Sequence, residues 1–429
     1  MNVLYITYDG AMEPLGKSQV IPYLSGLASR GYQISLLSYE KPSDLRNDDE
    51  IVSTRAVLRE KQISWTYLRY HKRPTSLATQ YDIIVGFIWG MISCLRRRIR
   101  IVHARSYVPA LIAIALKRVL SLKVIFDMRG FWPEERIDGG IWKEGSILFR
   151  LAKHCEALFL KRADRVVVLT EPAKIALLSR PGLAGYGARI EVIPTCVDLE
   201  LFRKVNAVRR PPEFDQKRLY VYQGSLGTWY SLDQLLTFFA DLRSTDQNAH
   251  LLFLTRHPEK DIRRAIANTT VSQADVSYKS VPYRDVAGYL SLGEALISFR
   301  RPGLSAPAML PTKIGEALAC GLPVVINSGV GGLDNLLSLE KVAVVVPSFE
   351  AKDLKLAAAQ IRALIDDPET PGRCRRIAER HFSLKEGVRR YERLYRALGC
   401  EEENCPAEVS KNAINTDSDH ERQSTPWRL

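Results

Sequence analysis

Apolar residues gather in short runs separated by amphipathic segments, and this alternation repeats along most of the chain. VLYITY (3–8) has the character of a buried strand. The segment 18–30 then places Val20, Tyr23, Leu24, Leu27 and Ala28 near a 3.6-residue period, which predicts a helix. Pro22 fits only the first turn of such a helix and Gly31 suits its C-cap, after which QISLLSY (33–39) resumes as strand. Further strands are predicted at DIIVGF (82–87), IVHAR (101–105), KVIFDM (123–128), RVVVLT (165–170) and IEVIP (190–194). NAVRRPPEFDQ (206–216) interrupts the pattern with two prolines and no period. The alternation restarts with strands at RLYVYQG (218–224), HLLFLTR (250–256), VSYKSV (276–281), EALISF (294–299), LPVVIN (322–327) and VAVVVP (342–347). Helices over about 350–365 and 384–398 close the pattern. The expectation is an α/β fold of two Rossmann-like halves: an N-terminal domain over 1–205, a linker over 206–216, a C-terminal domain over 217–380, a closing helix over 381–398 and a disordered acidic tail over 399–429.

Composition agrees with this picture and narrows the chemistry. With 429 residues, 46% hydrophobic and 25% charged, the chain can bury two cores. The longest uninterrupted apolar stretch, 107–116, contains Pro109 and is far shorter than the ~20 residues that cross a bilayer. MNVLYITYDG has no basic segment ahead of an apolar core, so it reads as an opening strand rather than a signal peptide, and a cytoplasmic location is expected. The seven cysteines are scattered without a CxxC pair, and the seven histidines include no HxxxH, so neither a disulfide frame nor a metal site is expected. The net charge of +13 is uneven, because residues 401–429 carry −4 and residues 1–400 carry +17. Such a field favours polyanions, among them nucleic acid, an anionic membrane or a phosphorylated substrate. No nucleic-acid module accompanies it.

Candidate chemistry collects where strands end and helices begin, the ligand-binding edge of open α/β sheets. The loop DGAMEPLGKSQV (9–20) lacks a GxGxxG fingerprint and its partner acid, so a nicotinamide or flavin site is not expected. Gly16 would allow close backbone approach there, or the segment is a plain turn. In PTKIGEALACGLPVV (311–325), Pro311 and Thr312 start a helix, Lys313 lies in its first turn and Glu316 one turn in. Backbone amides, the helix dipole and the Lys313 ammonium would converge on an anion, and Glu316 could accept ribose hydroxyls. The competing reading is a surface helix with an acid near its N-terminus. Arg256, Arg300 and Arg301 follow strands and suit a diphosphate, and QGSLGTWYSLDQ (223–234) supplies Gly224 and Trp229. FDMRGFWPEERIDGGIW (126–142) crowds Asp127, Arg129, Trp132, Glu134, Glu135, Arg136 and Asp138 after a strand, which suits a sugar-handling surface or a salt-bridged loop. His103 and Arg105 end the preceding strand. FIWGMISCLRRRIR (87–100) sets Trp89, Met91, Ile92 and Leu95 beside Arg96, Arg97, Arg98 and Arg100, a pattern for either an anionic membrane surface or a packed helix with a solvated basic face.

Three of these segments carry a family resemblance. PTKIGEALACGLPVV resembles the signature helix of family 4 glycosyltransferases, whose GT-B fold sets two Rossmann-like domains across a cleft. IPTCVDLELF (193–202) is similar to that family's interdomain segment P-x-x-V-D-x-x-x-F. Residues 14–42 resemble the glycine loop and first helix of a subgroup from bacterial surface-polysaccharide gene sets. The resemblance implies a retaining, metal-independent hexosyltransferase that needs no cofactor beyond a nucleotide-diphosphate sugar donor. Its acceptor would be a glycan or lipid-linked molecule, and its place the cytoplasm or the inner face of the membrane.

Carried onto this chain, Glu316 would hold the ribose, Lys313 with the Pro311 and Thr312 backbone would face the diphosphate, and Gly16 and Gly224 would line the donor side. Asp127, Arg129 and Lys313 are the expected catalytic residues; His103, Arg105, Trp132, Glu134 and Glu135 are expected on the acceptor side. Three departures from the family pattern stand out. Ala308 occupies the place of a second acid eight positions before Glu316, Arg129 replaces a histidine, and GSLGTWYS replaces an Arg/Lys pair. Arg256, Arg300 and Arg301 are the expected substitutes for that pair. A nucleotide-sugar 2-epimerase on the same fold and a catalytically degenerate binding partner are the alternatives.

Overall fold

The computed structural model describes residues 1–205, 210–227 and 229–400. The chain divides into two compact units. The first comprises Met1–Pro133, Glu144–Ile193 and the described residues from Lys385 to Cys400; the second comprises Glu134–Lys143 and Pro194–Leu384.

The first unit is built on seven parallel strands, β1 (Asn2–Thr7), β2 (Gln33–Glu40), β3 (Ser64–Arg69), β4 (Ile101–Arg105), β5 (Lys123–Asp127), β6 (Arg165–Val168) and β7 (Ile190–Val192). Their order is β3-β2-β1-β4-β5-β6-β7. The second unit holds six, β8 (Arg218–Gln223), β9 (Ala249–Leu254), β10 (Val276–Lys279), β11 (Gly293–Ser298), β12 (Val324–Asn327) and β13 (Ala343–Val346), in the order β10-β9-β8-β11-β12-β13. Both sheets reverse direction of growth once, between β1 and β4 and between β8 and β11. At such a switch point the loops diverge and leave space beyond the strand ends, so the fold itself selects two places for a ligand. Helices cover both faces of each sheet, which is why the central strands are apolar throughout rather than alternating.

Most predicted strands occur within a residue or two. DIIVGF (82–87) is the exception: it lies inside the helix Thr75–Arg97. A six-residue apolar run fits either element, and the longer spacing decides. Asp82, Gly86 and Gly90, four apart, face inward, and a Cβ on Gly86 or Gly90 would meet the Tyr39 hydroxyl at 2.0 Å or Leu116 Cδ1 at 2.9 Å. By length and composition Leu77–Arg97 could cross a bilayer, so the longest suitable segment is this helix and not 107–116. The strand missed in its place, β3, is half-buried along SWTYLR, without a clear alternation. The predicted helix over 18–30 is two helices, Pro14–Gln19 and Ile21–Ala28, with Pro22 in the first turn of the second.

The units also divide differently from the sequence boundaries. Residues 194–205 belong with the second unit, where Thr195 Oγ1 donates to the Leu310 carbonyl and Val197 exchanges backbone hydrogen bonds with Phe382 and Leu384. The helix Leu384–Cys400 packs on the first unit, with Tyr391 and Tyr395 buried there. Of the linker expected over 206–216, Pro212–Phe214 forms a short 3-10 turn and 206–209 lie outside the described residues. The tail expected over 399–429 lies outside them from 401 on.

Candidate functional site

In the second unit, the helix Thr312–Ala319 begins at Pro311 and stops before Gly321, whose φ of +82° suits only glycine comfortably. The start and stop expected from the sequence are both present. Every residue of this helix except Thr312 is buried. Lys313 is 7% exposed, and its Nζ lies 3.8 Å from the ring centroid of Tyr230 and 4.4 Å from that of Tyr222. Gly224, just past β8 with φ +107°, leaves room for this ammonium: a Cβ there would stand 3.3 Å from Nζ. Arg300, 5% exposed, follows β11, and its guanidinium lies 5.2 Å from the Tyr230 ring centroid. Asn327, at the end of β12, accepts from the Arg300 backbone amide at 2.8 Å and fixes that segment.

Two cations are thus buried side by side, and among the described residues neither makes an ion pair. Burial holds the Lys313 ammonium below its ordinary pKa, and the neighbouring Arg300 adds to this. Burial alone would push the Tyr230 phenol up, but Lys313 and Arg300 outweigh it and hold the phenol below its usual value. Glu316 is the nearby carboxylate. The Tyr283 hydroxyl donates to its Oε1 at 2.9 Å and the Gln223 amide donates to its Oε2. Burial raises its pKa, opposed by those two donors and Lys313. The cluster can therefore accept an anion beside Lys313 and Arg300 and a hydroxyl beside Glu316.

Other expected residues lie apart from this cluster. Arg256 and Arg301 are exposed after their strands. Ala308 is buried in the short turn Ala306–Ala308. Asp138 supplies an acid to this region, which sequence reading left among a crowd of charges. It accepts from the Leu304 amide at 2.9 Å, the Ser305 amide at 2.8 Å and Ser305 Oγ at 2.6 Å, and it leaves no space for a Cβ on Gly303. The loop after Arg300 is thereby tethered. Trp132, Glu134 and Glu135 are half-buried, and the Glu135 carbonyl accepts from Trp229 Nε1 at 3.0 Å.

In the first unit, parallel register places Tyr5 beside His103 and Arg105 beside Asp127, so all four side chains share one face. The helix Leu384–Cys400 covers that face. Tyr391 donates to Asp127 Oδ2 at 3.0 Å, and the Tyr395 hydroxyl bonds His103 Nδ1 at 2.8 Å. His103 Nε2 is 3.5 Å, Arg105 Nη1 4.0 Å and Arg129 Nη1 3.9 Å from Asp127 carboxylate oxygens. Burial would raise the Asp127 pKa, but Arg129, His103 and Arg105 outweigh it and hold it low. Burial lowers the His103 pKa. At 1% exposure each, Asp127 and His103 are hubs of a packed network. Arg129, in a left-handed backbone at φ +59°, donates to Gln19 at 3.3 Å.

Two neighbouring groups were missed from sequence. Glu40, fully buried, accepts from the Ala11 and Met12 amides at 2.7 and 3.3 Å and fixes the loop around Gly16. Gly16 itself is buried, and a Cβ on it would stand 2.1 Å from the Gly10 carbonyl. Asp82 accepts from the Tyr8 hydroxyl at 2.8 Å and bonds His71 Nδ1 at 2.7 Å. Only the aromatic density after β1 and β3 hinted at this pair. Among the described residues no group of three or more His, Cys, Asp and Glu is placed to hold a metal ion.

Comparison with known proteins agrees with both units. No curated protein matches the chain by sequence. Among solved structures, sucrose-phosphate synthase from Thermosynechococcus elongatus is similar at TM-score 0.69 and 15% identity, over 93% of this chain and 99% of that one. A glycosyltransferase from Rickettsia africae is similar at TM-score 0.67 and 15% identity, over 92% and 98%. HepE from Anabaena, in complex with UDP and glucose, is similar at TM-score 0.62 and 11% identity, over 92% and 98%. These likenesses establish the GT-B fold. The model of Glycosyltransferase Family 4 matches residues 20–201 and that of Glycosyl transferases group 1 matches residues 205–381, so the chain belongs to the family 4 glycosyltransferases.

Proposed function

We propose that the protein is a retaining, metal-independent hexosyltransferase that takes a sugar from a nucleotide-diphosphate donor and passes it to a glycan or lipid-linked acceptor in cell-surface polysaccharide synthesis. The observation that carries this reading is the pair of buried cations, Lys313 and Arg300, beside Glu316 at the switch point of the second sheet. A buried cation without a counter-ion is costly, and the cost is relieved when an anion arrives. The diphosphate supplies that anion, and its charge grows as the sugar bond breaks. Fixed cations that stabilise this growing charge act most strongly in the transition state, worth about 3–4 kcal/mol per donor group. Glu316, held at both oxygens by Tyr283 and Gln223, would accept the ribose hydroxyls. HepE, crystallised with UDP and glucose, supports the same donor class. Retention, the surface-polysaccharide role and the absence of a further cofactor follow from the sequence resemblance.

In the first unit, Asp127 would orient Arg129 and Arg105, and Trp132 would face the acceptor; Glu134 and Glu135, which belong with the second unit, would be the remaining acceptor residues. Arg301 and Arg256, exposed, would make contact only with a bound donor.

Calorimetric titration of UDP, GDP, ADP, CDP and dTDP into the protein, with Glu316→Ala beside it, tests the donor. One nucleotide should bind and the variant should lose it. Transfer from the matching sugar donor, with NMR of the product anomer and with a chelator present, then tests retention and metal independence. Nucleotide binding without turnover would favour the degenerate-partner reading, and conversion of the donor without an acceptor would favour epimerisation.

A further inference from the structure

The helix Thr75–Arg97 turns an apolar stripe to solvent that the fold does not use. Leu77, Tyr81, Ile84, Ile88 and Leu95 are 65, 57, 59, 50 and 63% exposed. At 100° per residue these five positions fall within about 60° of arc, and they extend about 27 Å along the axis. The opposite side, with Ala78, Asp82, Gly86, Gly90 and Cys94, is buried against the first unit. A polar outer face is the usual solution for a helix covering a sheet, so a continuous apolar one marks a contact surface.

Its charge identifies the contact. Exposed Lys72 and Arg73 precede the helix and exposed Arg96, Arg97, Arg98 and Arg100 follow it. Between residues 72 and 100 the only acid is Asp82, which is 1% exposed and held by Tyr8 and His71. An apolar stripe with cations at both ends and no exposed carboxylate complements an anionic lipid leaflet. The apolar side chains would enter the acyl boundary while the guanidinium groups stay among the headgroups. A second copy of this chain would bring those arginines against one another. The helix cannot leave the fold to span a bilayer, because Gly86 and Gly90 are packed on Tyr39, Ile112 and Leu116 and Asp82 is buried.

We propose that this face docks the protein, in the plane of the membrane, onto an anionic bilayer. The inference rests on the transferase reading only in that a lipid-linked acceptor would be met there; the docking itself stands apart from it.

The full protein is sedimented with vesicles of phosphatidylcholine alone or mixed with phosphatidylglycerol. Binding is expected to the mixed vesicles and to be released at 1 M salt, where screening acts within about 3 Å. Replacing Arg96, Arg97, Arg98 and Arg100 with serine should weaken binding on the order of 1,000-fold. Leu77→Ser, Ile84→Ser and Ile88→Ser together should abolish it. Both variants should retain the wild-type circular dichroism and nucleotide affinity, since none of these residues lies in the nucleotide cluster. No binding to anionic vesicles, binding unchanged in both variants, or a lipid-free dimer that the triple-serine variant dissolves would each overturn the proposal. Lost nucleotide binding with retained vesicle binding would instead count against the transferase reading alone.

Discussion

Lys313→Met removes one buried ammonium and keeps most of the side chain's volume, so it separates a structural role from a ligand-binding one. The ammonium costs stability because burial strips its water, a penalty of several kcal/mol for an isolated ion. The faces of Tyr222 and Tyr230 return part of this, up to about 2 kcal/mol or more for a desolvated cation on an aromatic face. A methionine thioether keeps a ring contact of about 0.3–1.5 kcal/mol and carries no desolvation cost. These terms nearly cancel, so stability should change by less than about 1 kcal/mol or rise. Nucleotide binding should respond in the opposite sense. A hydrogen bond to a charged group contributes about 1.5–3 kcal/mol, so affinity for the preferred nucleoside diphosphate should fall about 10- to 150-fold. Calorimetric titration beside thermal unfolding measures both.

Acidity gives the same experiment a second axis. The folded-state pKa of Lys313 lies below the unfolded value of about 10.4. As pH rises between the two, the folded chain releases a proton that the unfolded chain keeps, so wild-type stability gains while its affinity for the diphosphate falls. The methionine variant should lack both slopes. A variant that unfolds about 5 °C or more below wild type, with unchanged nucleotide affinity, would refute the argument and make Lys313 a packing residue.

Glu316→Gln keeps the bonds to Tyr283 and Gln223 within reach but removes the charge; affinity should fall about tenfold, and calorimetry should show the preference for a ribose over a 2′-deoxyribose nucleotide collapsing with it. Asp138→Asn deprives the Leu304 and Ser305 amides of their shared carboxylate, which should loosen the loop by about 1.5–3 kcal/mol, read as faster amide exchange at 304 and 305. Tyr391→Phe takes one donor from buried Asp127 and should lower stability by about 1–3 kcal/mol in chemical denaturation at neutral pH. Because the folded pKa of Asp127 is depressed, its contribution is full above the unfolded value of about 3.9 and is lost on acidification, so the gap between variant and wild type should close there.

The fold was legible where local signals and tertiary demands coincide. Central strands such as Ala249–Leu254 are apolar because both faces are covered, and the helix Thr312–Ala319 carries its own start at Pro311 and stop at Gly321. The misreadings have a common cause. DIIVGF was short enough to satisfy either period, and SWTYLR, at a sheet edge, is too lightly buried to need an apolar pattern. In the cluster around Tyr230, Lys313, Glu316, Arg300 and Gly224 were visible because they flank strand ends and glycines. Tyr230, Tyr222 and Tyr283 were not, since an aromatic near a strand reads as core until a cation is found over its ring. Asp138 and Tyr391 lie 166 and 264 residues from the groups they hold, and no spacing rule reaches that far.

The two switch points differ in electrostatic completeness, and this difference bears on the proposed donor site. Around Asp127, two arginines face two carboxylates, since Arg105 also lies 3.6 Å from Asp9, and Tyr391 and Tyr395 of the closing helix bond Asp127 and His103. That network is balanced before any ligand arrives, and adding a diphosphate to it would displace existing pairs. Around Tyr230, two buried cations have no ion-pair partner among the described residues, and the oxygens of the nearby Glu316 are engaged by Tyr283 and Gln223. The imbalance is held in place by burial, by the Asn327 contact to the Arg300 amide and by the Gly224 turn. A site that stays uncompensated at the cost of folding energy gains the most when an anion binds, which supports the proposed placing of the donor diphosphate in the second unit.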